Sequence, residues 1–152
     1  MIKDLIYKFF NDDDFLRISK KIKEVEKTTS GEVRVSIKEK RNFRQRGKDI
    51  RKLAEEEFYR LGMDKTRDNT GILIFILLEE RKYYILADSG INSKVSQTTW
   101  DSVRDKIKEY FKKGEFSNGV IFAINEAGRI LSENFPIKPE DKDELSNKVV
   151  LG

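Results

Sequence analysis

The chain has 152 residues, 31 basic and 27 acidic, for a net charge of +4, and it contains neither cysteine nor histidine. That excludes disulfide frameworks, thiolate zinc sites, cysteine nucleophiles, Ser-His-Asp triads and histidine-ligated metals. What remains is the chemistry of carboxylates, amides, hydroxyls and cations, and oxygen ligands suit hard ions such as Ca²⁺ or Mg²⁺.

Charged and hydrophobic residues each make up 38% of the chain. The apolar residues fall in periodic blocks, which points to one folded domain over 1–152, with a helical extension over 1–13 and a tail over 136–152. Charges so evenly mixed read as a solvated surface, and they do not by themselves predict a nucleic-acid partner. Ile2, Leu5, Ile6 and Phe9 share one helical face. The first ten residues, "MIKDLIYKFF", are broken by Lys3, Asp4 and Lys8 and lack an apolar targeting core. The expected setting is therefore soluble and cytoplasmic.

Asn11-Asp12-Asp13-Asp14 offers N-cap chemistry ahead of a helical stripe at Phe15, Ile18, Ile22 and Val25. An aspartyl-phosphate nucleophile there would need a preceding core strand, and none is present. After Ser30-Gly31, residues 32–38 alternate Val33, Val35 and Ile37 with Arg34, Ser36 and Lys38. That pattern predicts a strand with one wetter face, near a sheet edge. A basic loop over 40–47 leads into a helix over 48–61 carried by Ile50, Leu53, Ala54, Phe58 and Leu61. Ile72 to Leu78 is a continuous apolar run, which belongs at the centre of a sheet and is far short of the roughly 20 residues of a membrane span. Glu79 to Lys82 turns the chain back into "YYILA". Asn92-Ser93 offers a cap for a third helix, with Val95, Trp100, Val103, Ile107, Tyr110 and Phe111 as its stripe and Trp100 as a core residue. A fourth runs from Phe116 to Leu131, and Val149-Val150-Leu151 is apolar enough to dock back on the domain.

Strand 32–38, helix 48–61 and strand 71–78 form a βαβ unit with a right-handed crossover. The expected architecture is a three-layer α/β/α sandwich, Rossmann-like, with a small mixed β-sheet flanked by helices. Because the first two strands run parallel, Ser30-Gly31-Glu32 and Asp68-Asn69-Thr70 fall at one end of the sheet. The hairpin returns Asp88-Ser89 to that end. Asp64, Asp68, Asn69, Asp88 and Asp101 thereby become candidates for one cation site, since a hard ion would relieve the repulsion of gathered carboxylates. Turn and cap chemistry is the competing role for every one of them. "DKTRDNTG" is not an EF-hand loop, because Phe75 occupies the position where the bidentate glutamate would stand.

The other end of the sheet carries "KEKRNFRQRGKDIRK", with Arg41, Arg44, Arg46 and Lys48 before a helix N-terminus. An anion or a nucleic acid could bind there, although a solvated loop explains the same residues and no glycine-rich phosphate cradle is present.

"EVEKTTSGEVRVSI", "LGMDKTRDNTGILIFILLEERKYYILADSGI" and "WDSVRDKIKEYFKKGEFSNGVIFAINEAGRIL" resemble, in order and spacing, the TPM domain of thylakoid, photosystem II repair and channel-modulating proteins. The likeness runs from Phe15 to Leu151 and is greatest to small soluble bacterial members. It implies an α/β/α sandwich, calcium binding and an acid-phosphatase activity. The polar turn before the family's central strand matches Asp68, Asn69 and Gly71. Its strand-to-helix turn matches Asp88, Ser89 and Gly90, and the aspartate of the following helix matches Asp101. The basic loop over 40–48 departs from the family pattern, and the membrane anchor of other members has no counterpart here. Three functions follow as expectations. The first is a calcium-binding or protein-interaction module, with Ca²⁺ or Mg²⁺ and an unidentified protein as partners. The second is a metal-assisted acid phosphatase at the same cluster. The third is anion or nucleic-acid binding through 38–52.

Overall fold

The computed structural model describes residues 4–137 and 149–151. Ile2, part of the expected N-terminal helix, and the tail over 138–148 lie outside the described residues. A short α1 (Ile6–Phe9) precedes α2 (Asp12–Glu26), which starts at a capping box. Asn11 Oδ1 accepts from the amide of Asp14 at 2.8 Å, and Asp14 Oδ2 accepts from the amide of Asn11 at 2.9 Å. The acidic run is thus a helix start, as its spacing predicts.

Next come β1 (Glu32–Lys38), α3 (Ile50–Arg60), β2 (Gly71–Leu77), β3 (Lys82–Ala87), the single-turn α4 (Ser89–Asn92), α5 (Gln97–Lys112), α6 (Phe116–Asn134) and β4 (Val150–Leu151). The sheet order is β3-β2-β1-β4. β1 and β2 are parallel from Glu32 opposite Gly71 to Lys38 opposite Leu77, and β3 returns antiparallel with Ala87 opposite Ile72. All seven residues of β2 are buried, which explains why that run is apolar on both faces.

Two cores divide at the sheet. On one side Val33, Val35, Ile37, Ile72, Ile74 and Ile76 pack under α2, α5 and α6. Helices α2 and α6 approach closely at Gly128, where a Cβ would lie 2.6 Å from the Cβ of Val25. On the other side Leu73, Phe75 and Leu77 meet Leu53, Ala54 and Phe58 of α3. Helices on both faces of a mixed sheet give the expected three-layer α/β/α sandwich. Among the described residues no helix is long and apolar enough to cross a membrane.

The wet face of β1 and the start of the third helix need correcting. β1 does lie near the edge, flanked there only by β4, which pairs with it at Ser36 and Ile37 and is too short to show periodicity. Its polar row, however, is not wet throughout. Ser36 is buried and donates to Glu57 Oε2, and Glu57 also receives Arg60 Nε at 2.7 Å. Burial raises the Glu57 pKa, but the hydrogen bonds from Arg60 and Ser36 outweigh it and hold the carboxyl below its ordinary value. The third helix also starts differently. Asn92 does not cap it, since its Nδ2 donates to the carbonyl of Ala87 at 2.9 Å. Asp88 opens α4 instead, and Ser96 stands at the start of α5.

Candidate functional site

The loop ahead of β2 and the turn after β3 meet at the amino-terminal rim of the parallel strands. The amide of Glu32 donates to Thr70 O at 3.1 Å, and that of Asp88 to Gly71 O at 3.0 Å. These bonds place the ends of β1, β2 and β3 on one line. Asn69 holds a positive φ of 56°, a conformation asparagine tolerates better than most residues. Its carbonyl accepts from the amide of Gly90 at 3.0 Å. A Cβ at Gly90 would meet the carbonyl oxygens of both Asp68 and Asn69, the second at 2.6 Å. The contact between the two turns is therefore backbone to backbone, and only glycine permits it.

Asp88 has two oxygens in different circumstances. Oδ1 accepts from the amide of Ser89 at 2.8 Å and starts α4. Oδ2 is buried and has no hydrogen-bond partner among the described residues. A buried carboxylate oxygen left without a donor is costly, so the cap role accounts for only half of this side chain. Asp68 is exposed, with Arg67 Nε 3.6 Å from its Oδ2. A depression of about 500 Å³ opens beside it, lined by Ser30, Asp68, Gly90, Lys94 and Phe135 among others. Lys94 Nζ stands 4.7 Å from the centre of the Phe135 ring.

The expected five-residue cluster does not assemble. Among the described residues no three acidic side chains are grouped closely enough to hold an ion together. Asp64 is exposed in a 3-10 turn, Met63–Lys65. Asp101 lies beside Tyr84 and Ile85, halfway along β3, with Arg104 Nη1 3.4 Å from its Oδ1. Its helix packs against β3, and Asp101 faces the middle of that strand and not the rim. The turns that carry Asp68-Asn69 and Asp88 are neighbours on this rim, joined by main chain at Gly90. Their donor set suits a hard cation: two carboxylates, an amide and nearby main-chain carbonyls, with water completing the roughly 6–8 oxygens that Ca²⁺ takes. Sequence reasoning missed Lys94, Phe135 and the close approach at Gly90. The "DSGINSK" stretch held the only signal, a glycine two residues after a cap.

The basic segment at the opposite rim is largely occupied. Arg41 makes a two-pronged contact with Glu80, at 2.6 and 2.8 Å, and donates to the carbonyls of Gln45 and Lys48 at 2.8 Å each. Lys48 pairs with Glu56. Both carboxylates are held below their ordinary pKa, Glu80 chiefly by its bond to Arg41 and Glu56 chiefly by its bond to Lys48. Arg44 and Arg46 are exposed, and Arg46 lies over Phe43 with its guanidinium carbon 5.6 Å from the ring centre. Of the four cations expected to receive an anion, two hold the loop in place instead.

The TPM domain family model matches residues 7–130. The BA42 protein of the psychrophilic bacterium Bizionia argentinensis, solved by NMR, is similar to this chain at 35% identity and a TM-score of 0.85, covering 95% of this chain and 96% of its own. The N-terminal domain of a protein from P. gingivalis aligns with a TM-score of 0.67 at 12% identity, over 84% of this chain and 79% of its own. The N-terminal domain of cg2496 from Corynebacterium glutamicum aligns with 0.61 at 14%, over 85% and 78%. At those identities the latter two speak for the fold alone. Among the curated proteins none matches this chain.

Proposed function

The chain belongs to the TPM domain family, and on that premise we propose that it is a calcium-binding or protein-interaction module. Asp68, Asn69 and Asp88 supply the oxygens for Ca²⁺, with Mg²⁺ as the alternative ion. The protein acts in solution in the cytoplasm. The observation that carries this reading is the buried Oδ2 of Asp88, which has no hydrogen-bond partner among the described residues. A cation is the kind of partner that would relieve it. The Asn69–Gly90 contact adds support, because it fixes the turn of Asp68-Asn69 against the one that Asp88 opens before any ion arrives, and so lowers the ordering cost of binding.

Titration of the labelled protein with calcium, followed by NMR, tests it. The amides of Asp68, Asn69, Asp88 and Gly90 should shift together and saturate. Shifts that are absent, or spread evenly over surface carboxylates, rule the site out.

A further inference from the structure

An apolar opening lies at the other rim, away from the residues of the proposed cation site. It is a cavity of about 320 Å³, with Phe9, Phe111 and Phe116 among its walls and the buried Ile76 and Leu78 in its lining. That is the low end of the size range of small-molecule sites, and such sites are mostly apolar with a few placed polar groups. Every charged residue that lines it is a cation: Arg81, Lys82, Lys108 and Lys112. Lys82 pairs with Glu80 at 3.6 Å. Lys108 and Lys112 are exposed on one face of α5, one turn apart, and among the described residues neither has an ion-pair partner.

Arg81 adds an independent observation. It holds a φ of 54°, in a turn where glycine or asparagine would sit with less strain. Its guanidinium carbon lies 5.7 Å from the centre of the Phe9 ring. The strained residue thus places a cation and its aliphatic stem along one side of the opening. Apolar walls with a rim of one sign call for a ligand of the complementary kind.

We propose that this groove binds a small amphiphilic monoanion, an alkyl chain with a carboxylate head. The chain lies against the phenylalanines, and the head is met by Lys108 and Lys112 with Arg81 across the opening. Nothing in this site depends on the cation site.

The test is NMR titration of the labelled full chain with octanoate, decanoate and dodecanoate below their micelle concentrations. Decyltrimethylammonium serves as the control of opposite charge. Decanoate should move the amides of Ile76, Tyr83, Phe111 and Phe116, and affinity should rise about fourfold for each added methylene until the cavity is full. It should fall with salt. The double substitution Lys108→Glu and Lys112→Glu, both on exposed positions, should leave the spectrum folded and weaken decanoate roughly tenfold. Equal binding of the anionic and cationic probes overturns the proposal, and so do scattered shifts or no binding. A concentration-dependent dimer that protects these amides and binds no amphiphile also overturns it, and would assign the groove to a second copy of the chain.

Discussion

The amide of Gly90 meets the carbonyl of Asn69 at 3.0 Å, across an interval that admits no Cβ. Two turns more than twenty residues apart are thereby closed onto each other by main chain alone. Substituting Gly90→Ala should force them apart, at a cost of about 1–3 kcal/mol of stability, measured by urea unfolding. It should also abolish the calcium-dependent shifts. A variant that keeps both stability and ion binding would show that the close approach is dispensable.

Asp88 separates its two roles by substitution. Asparagine caps a helix about as well as aspartate. Asp88→Asn should therefore keep stability nearly unchanged while calcium affinity falls. Asp88→Ala should lose the ion and, in addition, about 1 kcal/mol through the cap. Calorimetric titration beside thermal unfolding distinguishes the two losses.

Hydrolysis of p-nitrophenyl phosphate should be the same in the wild type and in the double variant Asp68→Asn, Asp88→Asn. A drop confined to the double variant would assign catalysis to the rim and displace the binding reading.

Glu57 should make stability depend on pH. Its folded pKa is depressed, because the bonds from Arg60 and Ser36 outweigh burial. Its contribution is therefore fully present above the unfolded carboxylate pKa and is lost as pH falls through the lower folded value. Unfolding midpoints from pH 7 down to pH 3 should fall less steeply in Glu57→Gln than in the wild type. Parallel curves would show that the carboxylate is not protonated in that window.

Arg41 should matter to the order of the loop and not to anion capture. Arg41→Ala releases Glu80 and two carbonyls at once. Hydrogen exchange over residues 42–48 should speed up, and Arg41→Lys should not restore it, because lysine cannot make the two-pronged contact. Retention on heparin, if any, should follow Arg44 and Arg46 instead.

The sequence shows local order well and distant pairings poorly. The capping box at Asn11 and Asp14, the helical stripes and the seven-residue apolar strand each lie within one window of the chain, where periodicity and turn chemistry apply. Ser36 reads as a wet position because its partner, Glu57, is 21 residues away. Glu57 carries no signal of its own, because it falls between the apolar positions of its helix. The same limit explains the site. Topology alone places Asp68, Asn69 and Asp88 on one rim, since strand direction is enough for that. It could not show that Asp101 lies beside mid-β3 and pairs with Arg104, because that depends on where α5 packs against the sheet.

β2 joins the two proposed sites. Gly71, whose carbonyl holds Asp88, is its first residue, and Leu77, which lines the apolar groove, is its last. Seven strand residues span about 20 Å. The strand is buried throughout and paired on both sides, so it has no second arrangement to switch into. The two ends should therefore act without cooperativity. Saturating calcium should leave the affinity for decanoate unchanged, and the reverse should hold by linkage.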